Sequence, residues 1–144
     1  MRLLCLALAL FLVGCGGSPR TGAMAELAGT AWTVERIVYP TGEVIRGGGE
    51  TLAFGTDGSL SMSSCNSCQG RYRARRVTVE IRQPLACTRR ACATDAVELE
   101  RFIGGVQRVE RDGAYLVLTT VYPEGEEPQQ GGAPSVLLLP QSAE

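Results

Sequence analysis

The 144-residue sequence has no histidine and no lysine. Without histidine the chain lacks the side chain that titrates nearest neutral pH and serves most often as general base and metal ligand. Serine–histidine–aspartate and cysteine–histidine catalysis are therefore excluded. Without lysine, Schiff-base chemistry is excluded too. A bilayer-spanning helix takes about 20 apolar residues, and the apolar run from Leu3 to Val13 stops well short. Neither sign of charge dominates. Once Arg2 is removed with a leader, 13 arginines face 15 acidic residues, a formal net charge of −2. That balance provides no general attraction to nucleic acid or anionic lipid. Glu35, Glu80 and Glu98 do not form a recognisable catalytic carboxylate pair. No cofactor and no bound metal are expected.

What is present begins with the leader. One arginine, a short apolar core and small residues at its end form an export signal. Leu12-Val13-Gly14-Cys15 resembles the bacterial lipobox, in which the signal is cut before a cysteine that then carries lipid. The competing reading is an ordinary signal cut near Gly17. Gly16 stands where an aspartate would resemble an inner-membrane retention signal, which favours the outer membrane of a two-membrane cell. The expected organisation is a signal peptide over 1–14, a lipidated flexible tether over 15–25, a folded domain over 26–140 and a tail over 141–144. The expected location is the cell envelope, on the periplasmic face of the outer membrane, with the lipid on Cys15 as the membrane contact.

The domain is rich in short alternating segments. They are Ala31–Tyr39, Glu50–Gly55, Gly58–Ser64, Gly70–Ala74, Arg76–Arg82, Ala114–Thr120 and Pro134–Pro140. Val77, Val79 and Ile81 are expected on one face of the fifth. Gly55-Thr56-Asp57-Gly58 and Asp112-Gly113 are hairpin turns. One segment departs from period 2. Ala93–Val106 places Leu99, Phe102, Ile103 and Val106 at helical spacing, with Thr94 as cap and Gly104-Gly105 as stop. The expected class is α+β, mainly β. It is a curled antiparallel sheet of about seven or eight strands, barrel-like or sandwich-like, with one late α-helix closing an opening.

Four cysteines carry the chemistry. Cys65-x2-Cys68 and Cys87-x4-Cys92 approach a four-thiolate zinc spacing. Cys65 and Cys68 also have the spacing of a thiol–disulfide oxidoreductase pair, but no helix follows to lower a thiol pKa. The third reading is two structural disulfides, which an exported chain favours. Arg71, Arg73 and Arg75 fall on one face of a straight strand. They form either a solvated face or a surface for an acidic partner or anion. Trp32, Tyr39, Tyr72 and Tyr115 are expected to pack in and across the sheet rather than to line a cleft.

In this order the motifs resemble the META domain family of HslJ-like bacterial lipoproteins. Leu27-Ala28-Gly29-Thr30-Ala31-Trp32 is similar to the family's opening Leu-x-Gly-Thr-x-Trp. Cys65-Asn66 followed by Gly70 and Tyr72 resembles its Gly-Cys-Asn-x-x-x-Gly-x-Tyr, with Ser64 in place of the first Gly. Thr88 to Cys92 is similar to Thr-x-Met-x-Cys, with Arg90 in place of Met. The resemblance spans about Leu27 to Leu139. It implies a small β-rich envelope domain without catalytic residues, with stress-related roles in some members. It also implies a Cys65–Cys92 bridge, which leaves Cys68 with Cys87. The resulting expectation is a non-enzymatic envelope lipoprotein with a binding module whose ligand or protein partner is undefined. The rival is a periplasmic oxidoreductase using Cys65 and Cys68.

Overall fold

Apolar residues at every second position bury one side of a strand and leave the other in water. This pattern governs most of the chain. The computed structural model describes residues 27–126 and 132–141. The leader, the whole tether with Cys15, and the tail beyond Gln141 lie outside the described residues. The strands are β1 (Thr30–Val38), β2 (Val44–Arg46), β3 (Thr51–Phe54), β4 (Ser59–Ser63), β5 (Ser67–Ala74), β6 (Thr78–Ile81), β7 (Ala86–Cys87), β8 (Gly105–Asp112), β9 (Tyr115–Thr120) and β10 (Ser135–Pro140).

Eight of them close into an antiparallel barrel in the order β1-β3-β4-β5-β6-β8-β9-β10, and β10 pairs back onto β1. Closure removes the free edges that an open sheet would expose. The two remaining strands hang on the outside of this ring, β2 on the second half of β1 and β7 on the start of β5. An eight-stranded barrel has an interior that side chains can fill. Here Leu52, Phe54, Leu60, Met62, Tyr72, Val79, Ile81, Leu116, Leu118, Val136 and Leu138 fill it, all buried.

Two local irregularities follow from the sequence. β1 buries Trp32 and Val34, then Ile37 rather than Arg36. The register against β10 slips between Val34 and Arg36, a β-bulge that inserts one residue. The inserted residue reverses the alternation, so Arg36 stays outside with its guanidinium over the Tyr115 ring. At Gly70 a side chain would collide with Leu85, which packs against the core at that point.

The barrel has two distinct ends. At one, short turns join β3 to β4, β5 to β6 and β8 to β9. Gly58 (φ 79°) and Gly113 (φ 59°) take backbone angles that favour glycine. Leu27 is fully buried just before β1. The Thr30 hydroxyl donates to the Leu27 carbonyl at 2.6 Å, and the Trp32 indole N–H donates to Thr30 Oγ1 at 2.7 Å. The Arg111 guanidinium covers the Trp32 ring at 4.8 Å. Phe54 and Tyr72 meet edge to face at 5.0 Å, and the Tyr72 hydroxyl donates to the Gly55 carbonyl.

The other end is covered by the long connection from β7 to β8. A helix was expected there, and the structure has none. Between β7 and β8 the chain makes a 3-10 turn, Leu99–Arg101. The apolar positions fit another solution. Val97 and Leu99 are buried while Glu98 and Glu100 are half-exposed, and Leu99 and Glu100 open the 3-10 turn. The 3-10 turn then buries Ile103 beside Leu99 and lays Phe102 edge-on to Tyr39. Val106 leaves the pattern: it lies in β8 and is 39% exposed. A short helix carries a large nucleation cost, whereas two disulfides and the barrel rim already hold this segment. The connection still closes the opening, as the expected helix was meant to. Val77 is a second correction. It is 63% exposed, because the Arg75 amide bonds to the Thr78 carbonyl and leaves Val77 in the turn before β6.

Candidate functional site

The disulfide end gathers the residues with chemical potential. Antiparallel pairing of β5 with β7 sets Cys68 directly opposite Cys87. These two are bonded, with Cα atoms 4.0 Å apart. Cys65, in the β4–β5 turn, is bonded to Cys92. One bridge lies within the loop of the other, the nested pairing that the resemblance implies. Cys65 and Cys68 are thus joined to different partners and not to each other.

Asn66 sits between the bridges and ties them to the connection. Its side-chain amide donates to Glu100 Oε1 at 2.9 Å and lies 3.9 Å from Cys92 Sγ. Its Oδ1 accepts from the Arg90 amide at 3.0 Å. The Ser67 amide donates to Thr88 Oγ1, and the Thr88 amide to the Ser67 carbonyl. The Ser64 hydroxyl lies 3.3 Å from Glu100 Oε2. Each carboxylate oxygen of Glu100 therefore has a hydrogen-bond partner from the β4–β5 turn. Gln107, fully buried, donates to the Gly104 carbonyl at 2.6 Å and to Thr120 Oγ1, fixing the exit into β8.

Beside this knot is a cleft of about 550 Å³, lined by Ile45 of β2, residues 92–98, Arg101 and Phe102. Ile45, Ala93, Ala96, Val97 and Phe102 supply apolar surface. Thr94, Asp95 and the ion-paired Glu98 and Arg101 supply polar groups. The cleft opens at the mouth of the barrel, where ligand sites of this architecture commonly lie.

The other sequence-predicted residues are not gathered into a site. Arg71 and Arg73 project outward from β5 and Arg75 follows its end, all exposed. Their row is broken: Arg71 reaches the Asp57 carbonyl at 2.8 Å, and Arg73 stands across from Glu80. Trp32 and Tyr72 belong to the core, Tyr115 lies under Arg36, and Tyr39 abuts Phe102. Glu35 lies at the β1 bulge, Glu80 on the outer face of β6 and Glu98 at the cleft, far apart in the fold. Hydrogen bonds from Ser59 hold the Asp57 carboxyl below its ordinary range. Burial, assisted by the Asp57 charge, pushes the Tyr72 phenol up. Both groups belong to the turn end rather than to the cleft.

Sequence reasoning missed Glu100. Read as a helix, the segment would have pointed this residue to solvent. The available signal was the alternation Val97, Glu98, Leu99, Glu100, in which Val97 and Leu99 are buried and both carboxylates are half-exposed. Among the described residues, one group has metal-type ligands close together: Cys68, Cys87 and Glu100, with ligand atoms within 4.8 Å of one another. No described helix is long and apolar enough to cross a membrane.

A solved NMR structure of a protein from Burkholderia xenovorans has the same fold, with a TM-score of 0.59 and 17% identity. The likeness covers 84% of this chain and 88% of that one. No curated protein matches the chain. The model of the META domain matches residues 25–130, well over half of the sequence and including the cysteine knot and the cleft. The chain belongs to the META domain family.

Proposed function

We propose that the chain is an envelope lipoprotein, anchored through Cys15, whose barrel serves as a binding module rather than as a catalyst. Family membership supports an envelope-associated module, and the lipobox-like Leu12–Cys15 supports the anchor. The observation that carries the binding role is the cleft at the disulfide end. Its wall is irregular backbone, residues 92–98, fastened to the barrel by Cys92 and by the contacts around Asn66. A fixed loop at a barrel mouth binds with little ordering cost, which favours recognition. The lining suits a partner segment or small ligand that presents an apolar group beside a hydrogen-bonding one. The oxidoreductase reading rests on the Cys65–Cys68 spacing alone, because each of these cysteines is bonded elsewhere.

The test places a photo-crosslinking residue at Ala96 in the anchored protein in its own envelope. A discrete adduct is expected, and it should be lost when Phe102→Ala removes the apolar wall. A crosslinker at Ser61, on the far outer face of β4, should not give it. Adducts of equal yield from both positions, or none from Ala96, would contradict a binding role for the cleft. Cys15→Ser should release the protein from the membrane fraction, and continued membrane association would refute the anchor.

A further inference from the structure

The geometry points to a latent site for a thiophilic divalent cation, closed in the oxidised protein and assembled when the bridges are reduced. Its ligands are the thiolates of Cys68, Cys87 and Cys92 and the carboxylate of Glu100. The first observation is distance. The sulfurs of Cys68 and Cys87 and a carboxylate oxygen of Glu100 already lie within 4.8 Å of one another. Tetrahedral zinc holds sulfur at about 2.3 Å and oxygen at about 2.0–2.2 Å, which sets ligand atoms roughly 3.5–4 Å apart. The Cys68 and Cys87 sulfurs are bonded to each other, at the roughly 2.05 Å of a disulfide, so reduction must let them part by about 1.5–2 Å, while the Glu100 oxygen has at most about 1 Å to close.

The second observation concerns the fourth ligand. The Asn66 amide nitrogen lies 2.9 Å from Glu100 Oε1 and 3.9 Å from Cys92 Sγ, so the carboxylate and the second bridge flank one group. Asn66 also bonds the Arg90 amide, which keeps the backbone just before Cys92 against this knot. Cys65 is bonded to Cys92, and its thiol is the one left over once Cys92 takes the fourth place.

The third observation is the freedom to move. Cys87 is on the two-residue strand β7, which is paired only to β5. Cys92 and Glu100 are in the irregular connection. Only Cys68 is fixed in the barrel wall. The ligands that must shift are thus the ones on the least regular elements. Thiolate-rich sites select zinc and similar soft ions.

Each bridge accepts two electrons and two protons from a dithiol reductant, which is itself oxidised to a disulfide. The products are four thiols. One zinc ion then replaces the protons of Cys68, Cys87 and Cys92, releasing three protons to solvent, and Glu100 adds an oxygen ligand. Reoxidation by two molecules of a small disulfide, each reduced to two thiols with the Cys65 proton and three protons from solvent, forms the two sulfur–sulfur bonds again and expels the ion.

The experiment uses the full mature protein, reduced anaerobically with a phosphine that is then removed. Zinc is titrated against a chromophoric chelator, and cadmium is followed by its thiolate charge-transfer band. The reduced protein should take up one ion per chain, and the oxidised protein none. Glu100→Gln should weaken binding by at least about 10-fold, the loss that even an outer-shell partner incurs. Cys68→Ser should weaken it further. An absence of binding by the reduced protein would overturn the assignment. So would equal affinity in Glu100→Gln, or equal affinity in a urea-unfolded reduced sample, which would mark chelation by unstructured thiols.

Discussion

At the turn end of the barrel, β3–β4, β5–β6 and β8–β9 are closed by short turns, and Leu27, Trp32, Phe54 and Tyr72 pack beneath them. At the disulfide end a long irregular connection crosses the mouth, held by two covalent bridges and by Asn66. The first end is stabilised by tight turns and by non-covalent ring and hydrogen-bond contacts between strands. The second is stabilised by links spanning 19 and 27 residues. At the turn end the short turns lie directly over the core. A connection too irregular to form its own ladder leaves a cleft, and covalent links make such a wall stable. The disulfides are thus the condition under which this end can expose a shaped surface.

Removing covalent support from one end should have the largest effect. In the chain-entropy model each bridge restrains the unfolded chain by about 3 kcal/mol, with overlap because one loop contains the other. Replacing all four bridged cysteines with serine should lower stability by about 3–5 kcal/mol. That is a large share of the 5–15 kcal/mol typical of a domain. Urea unfolding measures it. A loss below about 1 kcal/mol would show that the connection holds itself, against the contrast drawn between the two ends.

A smaller effect is expected at Asn66. Asn66→Ala removes the amide that serves Glu100 and the oxygen that serves the Arg90 amide, while both bridges remain. Losing a part-buried bond to the Glu100 carboxylate and an exposed bond from the Arg90 amide costs about 1–2 kcal/mol. Thermal unfolding should show the drop, and a non-reducing peptide map should show unchanged bridges. An unchanged midpoint would reduce Asn66 to a turn residue.

At the turn end the smallest change is Tyr72→Phe, which deletes the bond to the Gly55 carbonyl. It should cost about 1 kcal/mol near neutral pH. Burial first, and then the Asp57 charge, raises the Tyr72 phenol in the fold, so the native state favours the protonated form. Its contribution is therefore complete below the ordinary tyrosine value of about 10 and is lost as pH rises through the higher folded value. The stability gap between wild type and Tyr72→Phe should shrink in alkaline urea titrations. A gap that widens with pH would reverse the assigned direction.

The two ends also differ in how well the sequence discloses them. Alternation in Thr51–Phe54, Ser59–Ser63 and Tyr115–Thr120 needs no distant partner to be read, and the turns at Gly55–Gly58 and Asp112-Gly113 are signalled by glycine at fixed offsets. The strands β2 and β7 were illegible because they are short and exist through pairing alone. The late helix was misread because Leu99, Phe102 and Ile103 satisfy both a helix face and an extended chain ending in a 3-10 turn. Only the covalent tether at Cys92 and the rim of the barrel decide between them. The bridges were legible through the resemblance. Glu100 and the cleft were hidden, because both depend on the path of that connection.

Hydrogen–deuterium exchange on the double variant Cys65→Ser with Cys92→Ser, which keeps the Cys68–Cys87 bridge, tests the contrast most directly. Protection should fall in residues 88–104 and around the cleft, while β3, β4, β9 and the turn end keep wild-type protection. Uniform loss across all strands, or unchanged protection in residues 88–104, would contradict the account that a covalent link holds this wall in place.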